Sequence, residues 1–294
     1  MWQCPPRSVL VPVDFGDASA RAVSIGALVA SAHDVPLVAL HAETLEAPPY
    51  FTHQQIDALE AGRRAARNAA TDYVRRFVAA HTAYPADVRL VEQPPAEAIL
   101  EASRSVDLVV MGTHGRRGPS RWWLGSVAER LIRVADTPVL VVRAEDPAQP
   151  AAEVFSRILT MTHRGSPVGV ASVWADTLAS IFAGEVHDGG TTETCDLDAV
   201  RASSLVVISL PSDHAGRSVA DSVVTLLRTC GRPALFVPEG REVGGSGLGD
   251  RGWGIGVGGS GKAGSGGFSP AADSRPDRLK HRKTDRLKAL RPKE

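Results

Sequence analysis

Gly112, Gly115, Gly125 and Ser126 are the residues whose type and spacing point most directly to chemistry in this chain. Two residues separate the first two glycines, and nine separate Gly115 from the Gly125-Ser126 pair. Glycine lets a backbone approach an anion closely. A helix opening at Ser126 would aim the free N–H groups of its first turn at that anion. Ser126 is expected to cap the helix and to donate its hydroxyl to a phosphate oxygen. Asp14 is the second candidate, an acid closing the apolar run Ser8–Val13. Ligands of open α/β sheets bind where strands end, but a lone Asp after a strand is more often a turn or cap residue. Position alone leaves both readings open.

The surrounding pattern is that of alternating strands and helices. Short apolar runs at 8–13, 36–41, 87–91, 106–111 and 138–142 read as strands. Helical spacing covers 19–31, 54–80, 95–103 and 126–135, the third of these starting at Pro95. Apolar strands separated by helices predict a parallel sheet covered on both faces. With right-handed connections this is a doubly wound, mostly parallel five-stranded α/β domain, Rossmann-like in plan, over residues 1–145.

A shortened copy follows over 154–239. Ile158–Gly165 aligns without gaps on Val9–Gly16, the run 204–209 repeats the fourth strand, and 220–237 tracks 125–142. Only the stretch from Gly184 to His187 offers strand material between them, so one strand–helix step is expected to be missing. His163 stands in place of Asp14, Ser209 in place of Gly112 and Asp221 in place of Ser126. A carboxylate at a helix N-terminus repels phosphate, so this copy is expected to bind no nucleotide. Residues 240–267 hold fourteen of the 28 glycines and 273–294 is a charged run. That composition predicts a disordered tail over 240–294. Its GxxxxGK match ending at Lys262 lacks a strand, a helix and the Ser or Thr a P-loop needs, since Ala263 follows.

With strand, glycine-spaced loop and helix in this order, the chain resembles the universal stress protein family from about Arg7 to Arg143, in its ATP-binding branch and in a tandem form with a degenerate second domain. The resemblance implies that Pro12-Val13-Asp14 meets the adenine side of ATP, although Phe15-Gly16-Asp17 departs from the commoner Gly-Ser pairing after the acid. It implies a backbone contact to the base at His41-Ala42. It places Gly112, Gly115, Gly125, Ser126 and Val127 along the ribose and triphosphate. The implied cofactor-binding set is thus Pro12, Val13, Asp14, Ala42, Met111, Gly112, His114, Gly115, Arg116, Gly125, Ser126 and Val127, with magnesium accompanying the ATP. His114 is common at its place in the motif and has no catalytic role. Arg116, Arg117 and Arg121 are candidate phosphate partners or solvated loop arginines, and Trp122-Trp123 reads as packing that anchors the loop.

The function expected is that of a nucleotide-dependent regulator in the stress response, not a fast enzyme. No nucleophile–base pair or metal-ligand cluster stands out, which leaves at most slow ATP hydrolysis or autophosphorylation near Ser126. An interaction or dimerisation module of the same fold with an empty site is the alternative, but it would not require the glycines. An ATP pyrophosphatase would want a Ser-Gly-Gly-rich loop after the first strand, which Asp14-Phe15-Gly16-Asp17 is not. Family members commonly pair through the edge strand, so 139–142 and 234–237 are expected to pair either within one chain or in a homodimer. A protein partner is expected but not named.

Charge and composition narrow the partners further. The net charge of zero divides into +6 on residues 241–294 and −6 on the rest, and all five lysines lie in the tail. The mildly acidic body gives no electrostatic reason to bind nucleic acid specifically. Three scattered cysteines form neither a disulfide framework nor a zinc pattern. No apolar stretch nears the roughly 18–20 residues that span a bilayer, and a cytoplasmic protein is expected.

Overall fold

Among the described residues, nine strands join in a single sheet. The computed structural model describes residues 2–44, 53–113, 124–144, 150–163, 166, 169–194, 196–211 and 231–238, with side chains of the second helix from residue 65 onward. These belong to one compact unit, Met1–Gly244. The expected tail over 240–294 and the helix expected between 220 and 230 lie outside the described residues.

The first half runs β1 (Val9–Pro12), α1 (Asp17–His33), β2 (Leu37–Ala42), α2 (His53–His81), β3 (Ala86–Val91), α3 (Pro95–Ser103), β4 (Leu108–Gly112), α4 (Ser126–Val134) and β5 (Val139–Val142). After a 3₁₀ turn at Ala151–Phe155 come β6 (Arg157–Thr162), α5 (Val170–Phe182), β7 (Glu185–Thr191), α6 (Leu197–Ala202), β8 (Leu205–Leu210) and β9 (Ala234–Pro238). The strand order is β3-β2-β1-β4-β5-β9-β8-β6-β7. Every pairing is parallel except β5 with β9, where Val139, Leu140 and Val141 face Phe236, Leu235 and Ala234 in antiparallel register. The two runs left undecided by sequence therefore pair within the chain, and the second half runs opposite to the first.

Each half changes winding direction once. β1 is flanked by β2 and β4, and β6 by β7 and β8. Among the described residues the second half has one strand–helix step fewer, as expected from the single run of strand material at 184–187. Helices cover both faces. Val23, Ile25 and Val29 of α1, Val74 and Val78 of α2, and Trp174 and Leu178 of α5 pack on one face. Ile99 of α3, Leu131 of α4 and Val200 of α6 pack on the other. This two-sided burial is why β5 is a continuous buried apolar run. The outer strand β7, by contrast, carries Glu185, His187 and Asp188 and is largely exposed, as an unpaired edge demands.

The N-terminal arm ties the halves together. Asp107 is almost fully buried, and its carboxylate accepts the backbone N–H groups of Gln3 and Arg7, each at 2.9 Å. That anchor sets Trp2 against Trp174 of α5, ring centroids 5.9 Å apart, and the Cys4 thiol 3.3 Å from Thr177 Oγ1. Burial pushes the Cys4 thiol up to about 11, so it stays protonated at neutral pH. Asp107→Ala should cost about 1–3 kcal/mol, because it strips partners from two backbone donors. A urea midpoint unchanged in that variant would show that Trp2 alone holds the arm.

Candidate functional site

The site forms where β1, β2 and β4 end. Beyond β1, the Val13 N–H continues the ladder to the Leu40 carbonyl at 2.8 Å. Asp14 then turns the chain. Its Oδ1 accepts the Gly16 N–H at 2.9 Å, while its own N–H donates to Ser19 Oγ at 3.2 Å. The turn expected for an Asp in this place is thus present, and the carboxylate also lines a cleft. Phe15 follows at φ 64°, a left-handed conformation rare for an aromatic residue. Its ring packs against His41 at 4.7 Å and Tyr73 at 4.6 Å, which holds the turn in place. His41 Nδ1 lies 2.6 Å from the Val13 carbonyl. A carbonyl can only accept, so Nδ1 carries the proton.

On the other side of β1, the two ends of the glycine loop are pinned together. The Thr113 N–H donates to Val142 O at 2.9 Å, and the Gly125 N–H donates to Thr113 O at 2.7 Å. The loop must therefore return to the strand it left, and α4 opens directly over the end of the sheet. Gly125 is the N-cap in an extended conformation, with no side chain bonded across the helix start. This corrects the role expected of Ser126, which is the first helical residue and not the cap. The consequence favours a ligand: among the described residues no side chain caps the start of α4, and the Ser126 side chain is exposed.

Between these pieces lies a cleft of about 260 Å³. Nine of the twelve expected residues line it: Pro12, Val13, Asp14, Ala42, Met111, Gly112, Gly125, Ser126 and Val127. His114, Gly115 and Arg116, like Arg117, Arg121, Trp122 and Trp123, fall outside the described residues. Leu40, Pro95, Ile99, Thr113 and Ala128 also line the cleft and were not foreseen. For Pro95 and Ile99 a signal existed. Every helix that follows a parallel strand starts at the carboxyl edge, so the first turn of α3 had to face the crevice. Electrostatically the cleft is two-ended. The Asp14 carboxylate marks one end, and the positive pole of the α4 dipole marks the other.

Gly112 calls for a second correction. Its missing Cβ was expected to clear room for phosphate. A Cβ there would instead lie 2.8 Å from both the carbonyl carbon and the Cβ of Ala18, and 3.0 Å from the Ser19 nitrogen. The glycine lets α1 begin directly against the end of β4. In the second half Ser209 takes this place and is almost fully buried. There the counterpart of Asp17 is Ser166, yet α5 begins only at Val170. His163 ends β6 in place of Asp14, with its N–H on the Ser209 carbonyl at 3.2 Å. The helix start that would frame a crevice is thus drawn back, while the loop to Asp221 is not among the described residues. No cluster of His, Cys, Asp and Glu among the described residues could hold a metal ion, and none of their helices is long and apolar enough to cross a membrane.

Such a sheet, with helices on both faces and a crevice beside its winding switch, defines a doubly wound α/β protein. The family model of the universal stress protein family matches residues 6–143. A universal stress protein of Thermus aquaticus is 34% identical over 140 residues, which cover 47% of this chain and 98% of that protein. One from Mycobacterium tuberculosis is 28% identical over 242 residues, 78% of this chain and 81% of its own. The crystal structure of a universal stress protein from Archaeoglobus fulgidus covers 80% of this chain and 99% of its own at a TM-score of 0.54, with 14% identity, a likeness of fold. The chain belongs to the universal stress protein family, and with it to the stress response.

Proposed function

We propose that the first half binds ATP, with magnesium, in the cleft at the ends of β1 and β4, and that the protein acts in the cytoplasm as a nucleotide-dependent regulator. The observation that carries this reading is the joining of both candidate features in one cleft. The glycine loop opens α4 there without a side-chain cap, opposite Asp14. An uncapped helix start suits phosphate oxygens. The carboxylate opposite suits the amine and hydroxyl donors of a nucleoside, and Leu40, Met111, Ile99 and Ala128 provide apolar surface for a base. Asp14 is the only carboxylate among the described lining residues. Magnesium would be carried in by the triphosphate, with Asp14 the carboxylate that the described wall could offer it. No nucleophile paired with a base lines the cleft among the described residues, which supports slow hydrolysis or autophosphorylation at most.

The test is calorimetric titration of the full chain with ATP and magnesium. Absence of binding would overturn the reading in favour of an interaction module. Ser126→Ala sharpens it. The hydroxyl caps nothing, so stability should change by less than about 0.5 kcal/mol, while ATP affinity should fall roughly fivefold from one lost hydrogen bond. A destabilised variant with unchanged affinity would contradict both halves of that expectation.

A further inference from the structure

Among the described lining residues the cleft holds one carboxylate and no guanidinium or ammonium group, and a cation close by favours a polyanion there. Arg130 is placed to supply it. It lies on α4 one turn beyond Ser126, and residues four apart share a helix face. Long side chains on a helix lean over the turn N-terminal to their own Cα, which carries Arg130 toward the helix start. Its Nη1 donates to Glu97 Oε1 of α3 at 2.6 Å. Glu97 sits between Pro95 and Ile99, which line the cleft, so this ion pair clasps the two helices that flank the site. Both side chains are about half exposed, and such a pair holds weakly against solvent. The neighbouring charges of α4 are engaged along the helix itself, with Arg133 Nη2 on Glu129 Oε1 at 2.7 Å.

We propose that Arg130 exchanges partners on ligand binding, leaving Glu97 for the phosphate oxygens of a nucleoside polyphosphate seated at the start of α4. This rests on the nucleotide reading above and adds to it a selectivity and a signal. A guanidinium binds phosphate by two parallel charged hydrogen bonds, stronger than one exposed contact to a carboxylate. The exchange therefore selects polyphosphates over nucleosides. It also opens the α3–α4 clasp on the outer surface, where a partner protein can read the change.

The experiment titrates the full chain, Arg130→Gln and Glu97→Gln with ATP and magnesium and, separately, with adenosine. Both substitutions are at exposed positions, and matched melting curves check that folding is intact. Arg130→Gln should weaken ATP binding five- to thirtyfold and leave adenosine unchanged. Glu97→Gln, which frees the guanidinium, should tighten ATP binding severalfold, again without effect on adenosine. Wild-type binding of ATP that neither variant alters overturns the exchange and leaves the nucleotide reading standing. Equal loss of ATP and adenosine in Arg130→Gln also overturns it, because the arginine would then serve only to shape the cleft. A wild-type chain that binds neither ligand removes the nucleotide reading and this inference together.

Discussion

Gly112→Val should lower stability by about 1–3 kcal/mol and weaken ATP binding at least tenfold in the same protein. The two effects have one cause. A side chain at this position meets the carbonyl carbon and Cβ of Ala18 at 2.8 Å and the nitrogen of Ser19 at 3.0 Å. Two of these atoms are backbone and cannot swing aside, so the first turn of α1 must move away from β4. Ser19 moves with it, and its hydroxyl is the acceptor that holds the Asp14 N–H. The Asp14 turn and the strand end that face each other across the cleft are then displaced. Urea unfolding and calorimetric titration, performed on the same preparation, check the prediction. A variant of wild-type midpoint that still binds ATP normally would show that α1 is not wedged by this contact.

Trp174→Ala should cost about 3–5 kcal/mol, a fall in melting temperature of roughly 10 °C for a unit of this size. Trp174 is fully buried on α5 and faces Trp2, so its removal empties the junction between the N-terminal arm and the second half. A second readout separates this from a general loss of packing. Cys4 lies two residues from Trp2 with its thiol on α5, and burial holds it protonated. In the variant it should become reactive to thiol reagents under conditions where the wild-type Cys4 is inert, with a Cys4→Ser chain to account for the other two cysteines. Continued protection of Cys4 would mean that Asp107 holds the arm without help from the tryptophans.

Nine of the expected site residues come together in one cleft, because the rule that brings them there is local and topological. An apolar run that ends in Asp14, and another that ends in Gly112, place those residues at the same sheet edge once both strands are parallel. Their side-chain tasks were less legible. The cap passed from Ser126 to Gly125 because the loop is pulled back to Thr113, and a hydrogen bond between residues twelve apart leaves no periodic trace. Gly112 was expected to face an anion, whereas the close contact that requires it is with α1. Asp107 read as one polar position within an apolar strand. Its partners Gln3 and Arg7 are about a hundred residues away, and a pattern within one strand cannot report them.

Hydrophobic periodicity records which faces a segment buries, and for this chain that is enough to specify parallel strands with helices on both sides, the repeat of the unit and the edge where ligands enter. Glycine spacing adds the kind of ligand. Neither records which edge a strand offers to which partner. Val139–Val142 and Ala234–Pro238 are almost wholly buried, and their apolar runs would suit pairing in one chain or between two. Antiparallel closure of β5 on β9 depends on how the two halves pack as bodies, with the N-terminal arm and Trp174 at their junction. The halves differ where a helix follows the first strand: α1 begins at Asp17, close against Gly112, which lacks the Cβ that would meet Ala18, whereas α5 begins at Val170 with Ser209 in the place of Gly112.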